Sequence, residues 1–451
     1  MSGTSMSFSQ IAGALNGEVK GDDAVFTGAA IDTRLLGQGE LFVVFAGNRV
    51  DGHDMIPQAR QQGAAGALVQ RFVDDVLPQL KVPDTRVAFG QVAARWRDLY
   101  QGTVLALTGS NGKTSVKEML ATLLQQAGAV WATRGNFNND IGMPLTLMGL
   151  QPQHRYAVIE MGANHPGEIA YLTSIARPDL AIITNAGPAH LEGFGSIEGV
   201  AHAKGEIIAG VPADGICILN ADDIYYPMWR QIAGPRRIIS FGLSDDADFR
   251  AVSASSTDHH AITIVNAGRS IDVHFPMLGA HNIVNALAAS AAASALGLSL
   301  ESIKTGLESV RAVAGRLERK QGFAGAQLID DTYNANPASV NAALDVLAQF
   351  ENRRRVLVIG DMAELGGNAQ ALHQDIGRQA QQRGIEYLFA WGPLSAGACT
   401  EFGAGAAHFQ HKEDMITAVR EVMDENTVVL VKGSRSAHME TVVIGLNEVR
   451  S

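Results

Sequence analysis

The chain is poor in cysteine: only Cys217 and Cys399 occur among 451 residues. Two thiols cannot staple a disulfide scaffold or build a cysteine-based zinc or iron–sulfur centre. They read as small buried apolar residues, and a reducing, cytoplasmic setting is expected. Positive charge is also scarce. Against 46 Asp and Glu stand 35 Lys and Arg, a net charge of −11, a poor match for nucleic acid or an anionic membrane surface. Long apolar runs are missing too. The longest candidate, 286–298, is mostly alanine, carries Ser290 and Ser294, and falls short of the ~18 residues a membrane span needs. The opening Met-Ser-Gly-Thr-Ser has neither the basic nor the apolar region of a secretory leader. No membrane insertion is expected.

What is present points to a folded, multidomain α/β chain. Hydrophobic residues make up 46% and charged residues 18%, too apolar for disorder. At ~150 residues per domain the length suggests about three domains. Apolar runs at 104–108, 157–161, 180–185 and 216–220 are separated by helical stretches, the pattern of parallel strands covered on both faces. Residues 247–276 are rich in Ser, Thr, Asp and alternating β-branched residues, which predicts an antiparallel insertion or small side sheet. A second strand–helix series, at 328–331, 356–360, 387–391 and 428–432, begins after Ala314-Gly315. The expected architecture is a small α/β domain over 1–85, a central parallel-sheet, P-loop ATPase-like domain with a small side sheet over 86–314, and a Rossmann-like α/β domain over 315–451.

The most informative segment is Thr108-Gly-Ser-Asn-Gly-Lys-Thr-Ser115. It follows an apolar strand and opens a helix whose Val116, Met119, Leu120, Leu123 and Leu124 share one face, with Gly128 placed to end it. That is the context a phosphate loop requires. Gly109 and Gly112 let backbone approach phosphate, and the helix start offers unpaired N–H groups. Lys113 can bridge the β- and γ-phosphates, and Thr114 can ligate Mg²⁺. Leu107 stands where the longer loop has its first glycine, so this is a short variant. Glu160 ends the next strand, a natural place for a Mg²⁺ ligand, although a solvated strand-end carboxylate would look the same. His190 sits in a turn-rich segment, 184–196. A lone histidine is more often structural, and Lys204, read alone, is a salt-bridged surface lysine.

The motif set changes that reading. The phosphate loop, Asn136-Phe-Asn-Asn-Asp-Ile-Gly142, Val158-Ile-Glu-Met-Gly162, His190-Leu-Glu-Gly-Phe-Gly195 and Ala203-Lys-Gly-Glu206 together resemble the Mur ligases of peptidoglycan synthesis. So do Gly279-Ala-His-Asn-Ile-Val-Asn-Ala286, Gly315-Arg-Leu-Glu318 and Asp330-Asp-Thr-Tyr-Asn-Ala-Asn-Pro337. They run in family order and, with 430–436 and the amino-terminal segment, cover nearly the whole chain. The segments at 333–336, 358–366 and 431–436 resemble the branch that takes a dipeptide amine.

The resemblance implies an ATP-driven amide ligation joining D-alanyl-D-alanine to UDP-N-acetylmuramoyl-tripeptide through an acyl phosphate, by a monomer. It implies that Gly109, Ser110, Asn111, Gly112, Lys113, Thr114, Ser115 and Asn139 surround the phosphates. Asn282 and Asn285 would lie on the adenine side, Arg316 on a phosphate, and Asp331 at the ribose or hinge. Two Mg²⁺ ions would be held by Thr114, Glu160, His190 and a carbamylated Lys204. Tyr333, Asn334, Asn336, Ser434 and Arg435 would meet the incoming dipeptide, and Thr33, Arg34, Asn48 and Arg49 the UDP-sugar. Catalysis would fall to Lys113, Glu160, His190, Lys204 and Arg316. Each has a plainer reading: Asn282 and Asn285 as helix caps, Asn336 as turn chemistry, Arg316 and Arg435 as surface ion pairs. Other Mur-type or folate-tailing ligases are the neighbouring alternatives. From other classes, a nucleotide switch would want the full loop spacing, and a dehydrogenase Gly-x-Gly-x-x-Gly.

Overall fold

Three sheets follow one another along the chain. The structure is a computed structural model and describes residues 3–47, 51–188, 191–255 and 260–447. The first sheet has five strands, ordered Glu18–Lys20, Gln79–Lys81, Gly66–Val69, Leu41–Val43, Ala29–Ala30. A two-stranded ladder, Met6–Ser7 with Val25–Phe26, lies beside it in sequence. Phe26 stacks on Trp96 at 6.2 Å. One apolar cluster therefore runs from Met6, Phe8 and Phe26 into the helix Thr85–Asp98 and on to Val104 and Ala106.

The central sheet has nine strands, ordered Arg269–Phe275, His260–Asn266, Phe249–Ser255, Arg237–Gly242, Ile216–Asn220, Leu180–Ile183, Thr103–Thr108, Tyr156–Glu160 and Val130–Ala132. From Arg237 to the Val130 edge every pairing is parallel. Leu105, Leu107, Val158, Ile182 and Ile218 are shielded from water. Such strands need cover on both faces, and their continuous apolar runs provide for it. The expected antiparallel stretch is realised at one edge of this same sheet: Phe249–Ser255 joins Arg237–Gly242 in parallel, and two antiparallel strands follow.

The helix Lys113–Gln125 buries Val116, Met119, Leu120, Leu123 and Leu124. The helix Ala280–Ala295 packs against it, its buried alanines allowing close approach. Cys217 is buried in its strand and Cys399 half-buried; burial pushes both thiols up to about 11.

The third sheet is ordered Glu318–Gln321, Gln327–Asp331, Thr427–Lys432, Arg354–Gly360, Tyr387–Trp391, Ala406–Phe409. All but the first strand run parallel. Among the strands not foreseen in the sequence are Val130–Ala132, Arg237–Gly242, Glu318–Gln321, Ala406–Phe409 and most of the short strands of the first sheet. The strand Glu318–Gln321 is polar, and Ala406–Phe409 is short and half-exposed at an edge. No described helix is long and apolar enough to cross a membrane.

In the central sheet Thr103–Thr108 lies between Leu180–Ile183 and Tyr156–Glu160, so strand order reverses beside it. The crevice at the carboxyl ends of such strands is where open α/β sheets bind ligands. Those ends lead into the phosphate loop, Glu160 and Thr184-Asn185.

Candidate active site

The loop after Thr108 turns on Gly109 (φ 151°) and Gly112 (φ 82°). Both backbones lie where an L side chain is strained, which explains the glycines. The helical ladder begins with the Val116 N–H on the Gly112 carbonyl. The N–H groups of Lys113, Thr114 and Ser115 thus have no partner within the helix. Lys113 Nζ folds back onto the Gly109 carbonyl at 2.6 Å. Burial holds its ammonium below the usual lysine range, Glu160 opposing and Arg316 reinforcing that shift.

Glu160 is 1% exposed. Its Oε1 accepts from Asn138 Nδ2 at 2.8 Å, while its Oε2 is buried without a hydrogen-bond partner among the described residues. The Glu160 N–H donates to Thr133 Oγ1 at 2.9 Å, and buried Lys117 donates to the Thr133 carbonyl at 2.6 Å. A hard anionic oxygen left free beside a phosphate loop fits Mg²⁺, which takes one or two carboxylates and fills its shell with phosphate and water.

The third segment closes over this end of the sheet. Arg316 Nη2 donates to Thr114 Oγ1 at 3.0 Å, with its guanidinium 4.1 Å from the Tyr333 ring centroid. Asn336 reaches the loop as well, Nδ2 to Asn111 Oδ1 at 2.9 Å. Asp331 spends both oxygens internally, on Lys432 Nζ at 2.5 Å and on the Leu317 N–H at 3.2 Å. Lys432, 2% exposed, also donates to the Asn334 carbonyl at 3.0 Å.

These groups open on one cavity of about 1320 Å³. Of the residues expected there, Ser110 to Ser115, Asn139, Glu160, Asn282, Asn285 and Arg316 line it, as do Asp331, Tyr333, Asn334, Asn336, Ser434 and Arg435. Several are already engaged. Asn139 Oδ1 accepts from the Gly142 N–H at 2.8 Å, where the helix Gly142–Met148 begins. Asn282 donates to the Leu278 carbonyl at 2.8 Å and accepts from Asn285 at 3.1 Å. Ser434 donates to the Asp361 carbonyl at 2.6 Å. Arg435 is exposed, 3.7 Å from Glu440.

Lys204 does not line the cavity. It is buried on the helix Ile197–Ala209, its Nζ 5.3 Å from the Phe194 ring centroid. Burial, with help from Lys113, pulls its pKa down to about 7. The surface salt-bridged reading is thus replaced by a buried lysine. Thr33 and Arg34 also lie away from this cavity. Thr33 is buried, and Arg34 is exposed and paired with Asp32 at 2.6 Å, holding that carboxyl at about 2. His190, Asn48 and Arg49 lie outside the described residues.

Asn138, Asn185 and Lys432 were not singled out in the sequence. Asn138 is one of three asparagines in a row of four residues, and only the fold selects which one meets Glu160. Lys432 ends an apolar strand, a signal that sequence alone offers for Glu160 too.

The chain matches three family descriptions in order: "Mur ligase family, catalytic domain" over 25–97, "Mur ligase middle domain" over 107–293, and "Mur ligase, glutamate ligase domain" over 315–435. It belongs to the Mur ligase family and is a ligase. Among its relatives is the UDP-N-acetylmuramoyl-tripeptide–D-alanyl-D-alanine ligase of Escherichia coli strain K12. The two are 47% identical over 448 residues, 98% of this chain and 99% of that protein. The protein of that name from Bacillus subtilis strain 168 is 35% identical, over 95% and 94% of the two chains. Among solved structures, a crystal structure of MurF from Acinetobacter baumannii superposes with a TM-score of 0.90 at 36% identity, covering 98% of each chain. That of MurF ligase from Thermotoga maritima in complex with ADP gives 0.83 at 27% identity, covering 92% of this chain and 96% of that one.

Proposed function

We propose that this ligase appends D-alanyl-D-alanine to UDP-N-acetylmuramoyl-tripeptide, converting ATP to ADP and phosphate, in the cytoplasmic stage of peptidoglycan synthesis. Residues 1–85 carry the UDP-sugar, 86–314 the ATP and 315–451 the incoming amine, in a monomer. The observation that carries this reading is the convergence on one cavity of the phosphate loop, the free oxygen of Glu160, and the third segment's Arg316, Tyr333 and Asn336. Support comes from the names of the relatives above, similar along the whole chain.

The chemistry follows from charge. A carboxylate resists an amine because it is anionic and has no leaving group. Transfer of the γ-phosphoryl group to a carboxylate oxygen releases ADP and makes an acyl phosphate. The amine nitrogen then attacks the carbonyl carbon, the C–O bond to phosphate breaks, and the nitrogen loses a proton. Gathering several anions makes positioning and charge neutralisation the main tasks. Lys113 leaves the Gly109 carbonyl for the phosphates. Arg316 adds a second cation from the third segment. Thr114, Glu160, His190 and Lys204 as a carbamate would hold two Mg²⁺ ions, whose chemistry is to neutralise phosphate charge. A Lys204 amine near pKa 7 is largely neutral above that pH and so able to take up CO₂. Tyr333, Asn334, Asn336, Ser434 and Arg435 surround the dipeptide. Asn282 and Asn285 lie on the adenine side, and Thr33, Arg34, Asn48 and Arg49 on the sugar nucleotide.

The test is phosphate release across a panel of UDP-muramoyl peptides and amine acceptors. Release should need both the tripeptide and the dipeptide. Hydrolysis of ATP without either would sink the reading.

A further inference from the structure

In sequence, the segment after Leu180–Ile183 stands out for His190. In space, its first two residues grip the phosphate loop. The Ser110 N–H donates to the Asn185 carbonyl at 3.0 Å. The Asn111 N–H donates to Asn185 Oδ1 at 3.0 Å, and Asn185 Nδ2 donates back to the Asn111 carbonyl at 3.1 Å. Thr184 Oγ1 donates to that carbonyl at 2.7 Å. Behind them, Asn220 Nδ2 holds the Thr184 carbonyl at 2.8 Å, and Asp223 accepts from the Ala186 N–H at 2.8 Å.

Phosphate loops ordinarily turn successive N–H groups onto the anion. Here two consecutive ones are spent on Asn185, one on its backbone and one on its side chain. We propose that Asn185 is a positioning residue for the nucleotide phosphates: it fixes the Ser110–Asn111 peptides in place of the anion, so the short loop is shaped before nucleotide arrives. The phosphates then fall to Lys113 Nζ and to the N–H groups of Lys113, Thr114 and Ser115. The carboxamide suits this task because one planar group both accepts from and donates to the Asn111 backbone. This inference rests on the nucleotide-binding reading above.

The test compares ADP, which has the phosphates, with adenosine, which lacks them. Dissociation constants for both are measured by calorimetry on the full chain, for the parent, Asn185→Ala and Asn185→Ser, with a thermal melt of each. Loss of the side-chain clamp strands the Asn111 N–H, and ADP affinity should fall roughly tenfold or more while adenosine affinity is unchanged. In turnover, KM for ATP should rise with KM for the UDP-acceptor unmoved. Equal weakening of ADP and adenosine, or no weakening of ADP, overturns the inference and leaves the nucleotide reading standing. A parent that binds no ADP overturns that reading and the inference with it. If both variants are unfolded at the assay temperature, Asn185 serves the fold rather than the phosphates, and the inference is likewise overturned.

Discussion

Asn336 donates from Nδ2 to Oδ1 of Asn111 at 2.9 Å, joining the third segment to the phosphate loop across 225 positions of sequence. The same side chain caps the helix Pro337–Ala348, its Oδ1 accepting from the Ser339 N–H at 2.8 Å. Cap and interdomain contact thus use opposite ends of one amide.

The two roles separate by substitution. Asp caps helices about as well as Asn but offers no donor to Asn111. Asn336→Asp should keep its stability within about 0.5 kcal/mol in urea melts, while phosphate release in the full reaction falls roughly tenfold or more. Asn336→Ala should lose both, with ~1 kcal/mol of stability. Unimpaired release by the Asp variant would show that the bridge to Asn111 is not used.

Lys113 Nζ is held by the Gly109 and Ser110 carbonyls, and the proposed function moves it onto the phosphates. Lys113→Ala should lower turnover by roughly 10²–10³ with little change in melting. Steady-state phosphate release with saturating acceptor and amine measures this, and near-normal turnover would contradict the assignment.

Glu160 buries a carboxylate oxygen with no hydrogen-bond donor among the described residues, at a cost in desolvation. Glu160→Gln should abolish the extra stabilisation that magnesium with ADP gives the parent. Paired denaturation curves with and without these ligands decide it. A variant still stabilised by magnesium would place the cation elsewhere.

The pH dependence of stability bears on Lys204. Its folded pKa of about 7 lies below the ordinary lysine value of 10.5, chiefly because of burial. The unfolded chain therefore binds the proton more tightly. The penalty is present in full below pH 7 and fades as pH rises towards 10.5. Lys204→Met should be more stable than the parent at pH 6, with the gap closing at alkaline pH. A gap that stays constant with pH would refute a buried, destabilising charge. In turnover, short carboxylates should partly restore Lys204→Ala; indifference to them would weigh against a carbamate.

Some of this was legible in the residues themselves. Apolar runs at 104–108, 157–161 and 180–185 announce buried parallel strands, and Gly109, Gly112 and Lys113 after the first of them announce a phosphate loop. Lys204 was not legible: its sequence neighbours Gly205 and Glu206 suggest a surface, and only Phe194 and the packing of the helix Ile197–Ala209 bury it. Asn138 against Asn139, and Asn185 against the rest of its turn, depend on which amide the backbone aims inward. Polar edge strands such as Glu318–Gln321 carry no hydrophobic signal, since pairing to Gln327–Asp331 rather than burial makes them strands.

Asp331 links the strand end at Lys432 to the Leu317 amide, immediately beside Arg316. Through that tether the guanidinium lining the cavity is bolted to the third segment, like a pointer on a dial. Were that segment to swing, the pointer would leave the cleft with it, so under the proposed function the cleft would gain this positive charge only with the amine-binding segment in position. ATP would then be protected from idle breakdown by geometry rather than by a separate inhibitor.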